Sequence, residues 1–162
     1  NAAGILRRTA VFDMDEGEWD LVLNVNLKGT FLPSKAVLSS MRASKWGRIV
    51  NFSSTAGKTT STLGGAHYTT SKHAVLGLTR HMAMEEAEYG ITVNAVCPGL
   101  IDTEMVQQEV DDDRLKRYTD GFPIHRLGQP SEAAELVAFL ASDRAAYITG
   151  QALDLSGGDL MV

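Results

Sequence analysis

The sequence predicts an α/β fold, a parallel sheet covered by helices on both faces in three layers. Two observations carry that expectation. Short apolar runs alternate along the chain with segments of helical periodicity, and the runs are mostly apolar, without the clean in/out alternation of half-exposed strands. The 162 residues, 44% hydrophobic and 22% charged, suffice for one domain with a real core, and no repeat or low-complexity segment interrupts them.

Asp13, Asp15 and Glu16 place acidic groups at the positive end of a first helix. Apolar residues then recur at helical spacing through Trp19, Val22, Leu23, Val25, Leu27, Phe31, Ala36, Val37 and Met41. They predict one long helix from about Gly17 to about Ala43, with Gly29 and Pro33 as points of bending. Trp46-Gly47 turns the chain into a strand over Arg48 to Phe52, and Lys58 to Gly65, rich in Thr, Ser and Gly, reads as a loop. A helix from about Tyr68 to Glu88 follows, stopped at Tyr89-Gly90. Ile91 to Cys97 is a short strand ended by Pro98-Gly99. Thr103 to Thr119 has the polar helical character of a flap over a site. Pro130-Ser131 opens a helix to about Ala141 with Ser131 as its N-cap, and Ala152 to Leu155 is the last strand.

Composition removes several function classes. The net charge of -5, with 20 acidic against 15 basic residues, argues against a nucleic-acid partner. No apolar run approaches the ~18 residues needed to cross a membrane. No secretory signal is visible, and the single cysteine, Cys97, suits a reducing cytoplasm and reads as a buried, inert thiol. The acidic run Glu109 to Asp113 reads as a solvated helix face, and His73 and His81 as packing or interface residues. No metal site is expected.

The chemistry-bearing pattern is YTTSK, Tyr68 to Lys72, with the strand end NFSS, Asn51 to Ser54, upstream of it. A phenol and an ammonium four residues apart share one helix face. The ammonium favours the phenolate, which is expected to pull the Tyr68 pKa below its usual ~10 and to let Tyr68 exchange a proton with an alcohol or carbonyl oxygen. Asn1 to Gly4, Ser54 and Pro98-Gly99 each follow an expected strand end, where parallel sheets gather ligands.

These segments, with NAAG at Asn1 to Gly4, Asn26 in NVNLKGTF, RIVNFSS, ITVNAVCPGLIDTEM from Ile91 to Met105 and YITGQALDLSGG from Tyr147 to Gly158, together resemble the short-chain dehydrogenase/reductase family. NAVCPG, STAGK and HRLGQPSE bring the resemblance nearest to 3-oxoacyl carrier-protein reductases and related ketoreductases. The resemblance implies a Rossmann-like three-layer fold and the C-terminal portion of a longer enzyme, because the glycine-rich nucleotide-binding βαβ turn of the family is not in the chain. A chain of this extent alone is expected to expose an apolar sheet edge and to aggregate.

The family pattern further implies NAD or NADP as cofactor, a small carbonyl or alcohol substrate and a homodimer or homotetramer pairing through the two long helices. It assigns Tyr68 as general acid/base, Lys72 as its tuning cation and ribose contact, and Ser54 as hydrogen-bond donor to the substrate oxygen. Ser53 is the alternative for that serine. Asn26 would hold a water that links Lys72 to solvent, at a local helix distortion. Asn1, Ala3, Gly4, Pro98, Gly99, Ile101 and Thr103 join Tyr68 and Lys72 as the implied cofactor contacts, and Thr103 can also cap a helix. Asn94 reads as structural, and His67 either touches substrate or is a turn residue without function. Glu85, Glu86 and Glu88 would form an acidic patch, offset in part by Lys45 and Arg48, that disfavours an acidic carrier protein. A non-catalytic remnant acting as an oligomerisation module is the rival reading.

Overall fold

The computed structural model describes residues 1–109 and 111–162, with all their side chains except those of Met105, Gln108, Glu109, Asp112 and Arg114. Three parallel strands lie in the order β1-β2-β3, with β1 at Gly47–Phe52, β2 at Ile91–Pro98 and β3 at Ala152–Leu155. Gly47 pairs with Ile91 at one end of the first ladder and Phe52 with Val96 at the other, and Ala95 to Pro98 pair with Ala152 to Leu155. β2, the middle strand, is buried at every position but its last. Its mostly apolar sequence, buried with Thr92 and Asn94 included, therefore reflects cover on both faces.

The helices are α1 (Glu16–Leu23), α2 (Gly29–Ser44), α3 (Ala66–Glu86), α4 (Glu104–Glu109), α5 (Asp112–Gly121) and α6 (Pro130–Ala141). Leu38 and Met41 of α2 and Met82 and Ala83 of α3 pack on Ile49, Ile91 and Val93 on one sheet face, and Leu76 of α3 on Ala95 and Cys97. On the other face Leu136, Val137 and Leu140 of α6 pack with Val50, Val96 and Leu153. The three layers expected from the sequence are present. Among the described residues no helix is long and apolar enough to cross a membrane.

Several elements differ in instructive ways. Asp15 caps α1, its carboxylate accepting from the Glu18 N–H at 2.8 Å. The expected single long helix is instead interrupted by a π-helical turn, Asn24–Lys28, before α2 begins at Gly29. Its inward line is also polar where apolar residues were expected. Asn26, Thr30 and Ser34 are buried beside Val22, whereas Trp19, Phe31 and Val37 are exposed. Thr30 and Ser34 each donate to the carbonyl four residues back, at 2.8 Å, so their hydroxyls need no water. Ser131 does not cap α6. Gln129 does, because Pro130 fits the first helical position and Glu132 reaches back to the Gln129 N–H at 2.7 Å. The expected flap helix is two helices, α4 and α5. The acidic run that joins them includes Val110 and the side chains of Glu109 and Asp112, which lie outside the described residues.

α3 ends in a 3-10 turn, Ala87–Tyr89, and Gly90 at φ 73. A side chain at Gly90 would strike the Lys45 carbonyl oxygen, so both backbone conformation and contact demand glycine there. Glu86 is not part of an acidic surface. It is buried and accepts a bidentate pair from Arg42 at 2.7 and 2.6 Å, while Arg42 lies 4.3 Å from the Tyr89 ring centre. Arg48 is likewise drawn in, against Asp143 at 3.3 Å and over Trp46.

Candidate active site

The carboxyl ends of β1 and β2 open into one cavity of about 850 Å³, a size that suits a cofactor or substrate. Gly4, Ser54, Tyr68, Lys72, Pro98, Gly99, Ile101 and Thr103 all line it. Residues distant in sequence meet there because parallel strands end together.

β1 delivers the serines. Beyond Phe52 the backbone carries Ser53 inward, where its hydroxyl donates to the Lys72 carbonyl at 2.8 Å. Ser54, one residue on, lies beside the Tyr68 phenol. Its oxygen accepts from the Ala56 N–H at 3.2 Å and lies 3.4 Å from the Pro98 carbonyl. Both serines border the cavity, but the Ser53 hydroxyl is spent on α3. The 3-10 turn Thr55–Gly57 then presses on α3. A Cβ at Gly57 would come within 2.8 Å of the Lys72 carbonyl oxygen, so glycine permits the approach that brings Ser54 to Tyr68.

α3 delivers Tyr68 and Lys72 from its first two turns. Lys72 is 6% exposed, its ammonium donating to the Phe52 carbonyl at 3.0 Å and standing 5.6 Å from the Tyr68 ring centre. Burial lowers its pKa to about 8. Tyr68 behaves contrary to the expectation that Lys72 pulls it down. Burial pushes the phenol above its ordinary value, and the neighbouring Ser54 hydroxyl offsets only part of that rise. The pair shares a dry pocket, so each neutral form is favoured.

Asn26 sits in the π turn, as the resemblance implied for a distorted helix. Its amide accepts from the Ile5 N–H at 2.8 Å and donates to the Ile5 carbonyl and Ser71 hydroxyl, each at 3.0 Å. It thereby ties the strand-end segment Gly4-Ile5 to α3. Asn1 and Ala3 do not line the cavity; Ala2 does. The Asn1 amide is spent on Ser34 and Asn51, both at 2.9 Å, and its backbone continues the sheet by pairing with Val50 and Phe52. Ile101 is held by a bridge to Gly128. Thr103 turns its hydroxyl to the Ile101 carbonyl at 3.3 Å, while its own carbonyl accepts from the Gln107 N–H.

Asn94 is structural, bonding Ile148 and Gln151 between β2 and the approach to β3. Cys97 is fully buried, and burial raises its thiol. His67 is no turn residue. It is 0% exposed in the first turn of α3 and reaches Glu18 of α1 at 2.8 Å. Val106, Tyr118, Phe122 and Asp159 complete the wall, and no sequence pattern points to them as a group. Asp159 alone carries a signal, because it follows the glycine pair at the carboxyl end of β3.

The comparisons agree with this architecture. The family model described as enoyl-(acyl carrier protein) reductase matches residues 1–159. An acetoacetyl-CoA reductase from Shinella zoogloeoides is 43% identical over all 162 residues, which cover 67% of that protein. A 3-oxoacyl-[acyl-carrier-protein] reductase from Vibrio cholerae is 44% identical over the same length, covering 66% of it. The crystal structure of a 3-oxoacyl-[acyl-carrier protein] reductase from Brucella melitensis superimposes with a TM-score of 0.95 at 40% identity, over 100% of this chain and 62% of that one. A second such reductase from the same species, solved with bound NAD, gives 0.91 at 38% identity, over 100% of this chain and 61% of that one. The chain spans about two thirds of the length of the curated relatives it matches. With the parallel three-layer fold and the converging Asn26, Ser54, Tyr68 and Lys72, these matches establish that the chain belongs to the short-chain dehydrogenase/reductase family.

Proposed function

We propose that the protein is an NAD(P)-dependent oxidoreductase that interconverts a ketone and a secondary alcohol, with a 3-oxoacyl thioester as the favoured substrate class. The observation that carries the reading is that Ser54, Tyr68 and Lys72 line one cavity at the carboxyl ends of the strands. A nicotinamide cofactor, when bound, supplies or accepts the hydride. Gly4, Pro98, Gly99, Ile101 and Thr103 border the same cavity and would hold its nicotinamide end, with Lys72 as the cation near the ribose.

Tyr68 acts as the proton donor to the carbonyl oxygen, with Ser54 donating a second hydrogen bond where negative charge develops. Burial favours the protonated phenol, the form that donates when a carbonyl binds. Lys72, with its pKa lowered to about 8, is close enough to neutrality to return a proton to Tyr68. The withdrawal of Glu86 into its pair with Arg42 removes much of the objection to an acidic carrier protein. The exposed apolar residues Trp19, Phe31 and Leu32 of α1 and α2 support pairing of copies, as a dimer or tetramer, and a cytoplasmic setting accompanies the reading.

The test is reduction of acetoacetyl-CoA by the full-length protein with NADH and with NADPH, followed by nicotinamide absorbance. Tyr68→Phe is expected to remove at least roughly two orders of magnitude of turnover, the lower range for acid–base catalysis. Near-normal turnover by that variant would overturn the mechanism assigned to Tyr68, and no turnover by the parent protein with either cofactor would leave the oligomerisation module in its place.

A further inference from the structure

Both main-chain groups of Tyr68 are held by side chains that lead back to the same helical stretch. On the carbonyl side the chain of contacts runs through residues already described. Ser71 donates to the Tyr68 carbonyl at 2.7 Å and accepts from Asn26 at 3.0 Å. On the amide side a second relay has no role in the reading so far. The Tyr68 N–H is one of the four donors that the start of α3 leaves without a helical partner. It donates to His67 Nδ1 at 2.9 Å, and His67 Nε2 lies 2.8 Å from Glu18 Oε1.

That geometry fixes the tautomer. A nitrogen that accepts from an amide N–H carries no proton, so the His67 proton is on Nε2 and is donated to Glu18. Glu18 also faces Thr9, in the segment whose Leu6 lines the cavity. The Arg7 carbonyl accepts from the Gly65 N–H at 2.8 Å, immediately before α3. Glu18, His67 and the segment around Thr9 therefore converge on the turn that presents the phenol.

We propose that Glu18 and His67 are positioning residues for Tyr68, a relay that fixes the first turn of α3 against α1 and so sets where the phenol meets the substrate oxygen. The proposal rests on the oxidoreductase reading. It also explains why a histidine beside the reactive tyrosine is fully buried without touching the cavity.

The test uses the full-length protein with acetoacetyl-CoA and the preferred nicotinamide cofactor. His67→Phe keeps a planar ring and loses both hydrogen bonds, and Glu18→Leu loses the acceptor alone. Each is expected to lower kcat per folded active site about tenfold to a hundredfold, the scale of an ångström of misplacement, with KM changed less than about threefold. Glu18→Gln keeps an acceptor for Nε2–H and is expected to recover most of that loss. A purely structural role would lower thermal stability and the amount of folded protein while leaving kcat per site intact, and that result overturns the proposal.

If His67→Phe does not fold, the Glu18 pair decides alone, since Glu18 is the partly exposed partner. Should acetoacetyl-CoA prove a poor substrate, the Tyr68 phenol titration, followed by NMR of ring-labelled tyrosine, decides the same question. It shifts in Glu18→Leu and not in Glu18→Gln if the relay sets the phenol, and identical titrations overturn the proposal. Full turnover by Tyr68→Phe would instead take Tyr68 out of the chemistry, and no turnover by the parent protein with either nicotinamide cofactor would refute the oxidoreductase reading.

Discussion

Ser54, Tyr68 and Lys72 stand on a strand end and a buried helix, the Ser54 and Lys72 side chains and both main-chain groups of Tyr68 hydrogen-bonded and the surrounding backbone close-packed. The neighbouring wall, α4 and α5, is held differently. Val106, Leu115 and Tyr118 rest on Leu6, Leu63 and Leu100 through an apolar cluster of few residues, and most of the other described side chains of the two helices are exposed. The first wall is fixed by directional bonds whose loss leaves buried groups unpaired. The apolar contact of the second covers a small area and most of its other described side chains face solvent, so it is expected to open at a lower free energy. The division suits a site whose proton chemistry needs fixed geometry and whose substrate contact benefits from adjustment.

The largest effect expected from breaking the fixed wall is at Lys72. Lys72→Met should lose roughly two orders of magnitude of turnover. It should also be more stable than the parent at pH 7. The Lys72 pKa falls from its ordinary 10.5 to about 8 on folding, so the charged form opposes the fold. That opposition amounts to about 3 kcal/mol below pH 8 and is relieved as pH rises from about 8 to 10.5. Losing the bond to the Phe52 carbonyl returns about 1 kcal/mol, so a net gain of about 2 kcal/mol is expected. Denaturant melts at pH 7 and pH 10.5 check the sign: the advantage must shrink at the higher pH.

A smaller effect is expected from the adjustable wall. Leu115→Ala removes much of its apolar grip and should raise KM about fivefold, with kcat within about twofold. Faster amide exchange confined to residues 104–121 would accompany it. A fall in kcat at unchanged KM would show that this wall takes part in the chemistry. The smallest effect concerns Asp159, the one carboxylate in the described lining, which burial raises above its ordinary pKa. Asp159→Asn should lower KM for the anionic acetoacetyl-CoA about two- to threefold at low salt, with the difference fading as salt is added.

The fixed wall is also the more legible one. A strand ending in serines followed by YTTSK is a local pattern, and strand-end logic brings Gly4, Ser54 and Pro98 together from the sequence alone. β3 is bounded correctly because a short, mostly apolar segment between glycine turns has few alternatives. What escapes is decided by tertiary surroundings. The rise in the Tyr68 pKa depends on how dry the pocket is, which the spacing to Lys72 does not encode. The burial of His67 and Glu86 depends on partners 49 and 44 residues away. α5 and Asp159 join the cavity through the path of the chain between elements, which periodicity does not describe.

The π turn at Asn24–Lys28 has a consequence for the phase of the whole helical stretch. Its buried positions, Val22, Asn26, Thr30 and Ser34, recur every four residues. In an uninterrupted α-helix three such steps would rotate the line by about 120°, carrying Ser34 to a different face from Val22. The extra residue absorbed by the π turn cancels about 100° of that, so all four face α3 and β1. The turn thus works as a one-residue insertion that the helix has kept in register. Deleting a single residue between Asn24 and Lys28 would restore a plain α-helix and leave everything beyond it in its present phase, whereas forcing the turn into α-helix with all its residues kept would rotate everything beyond by nearly a third of a turn relative to Glu18.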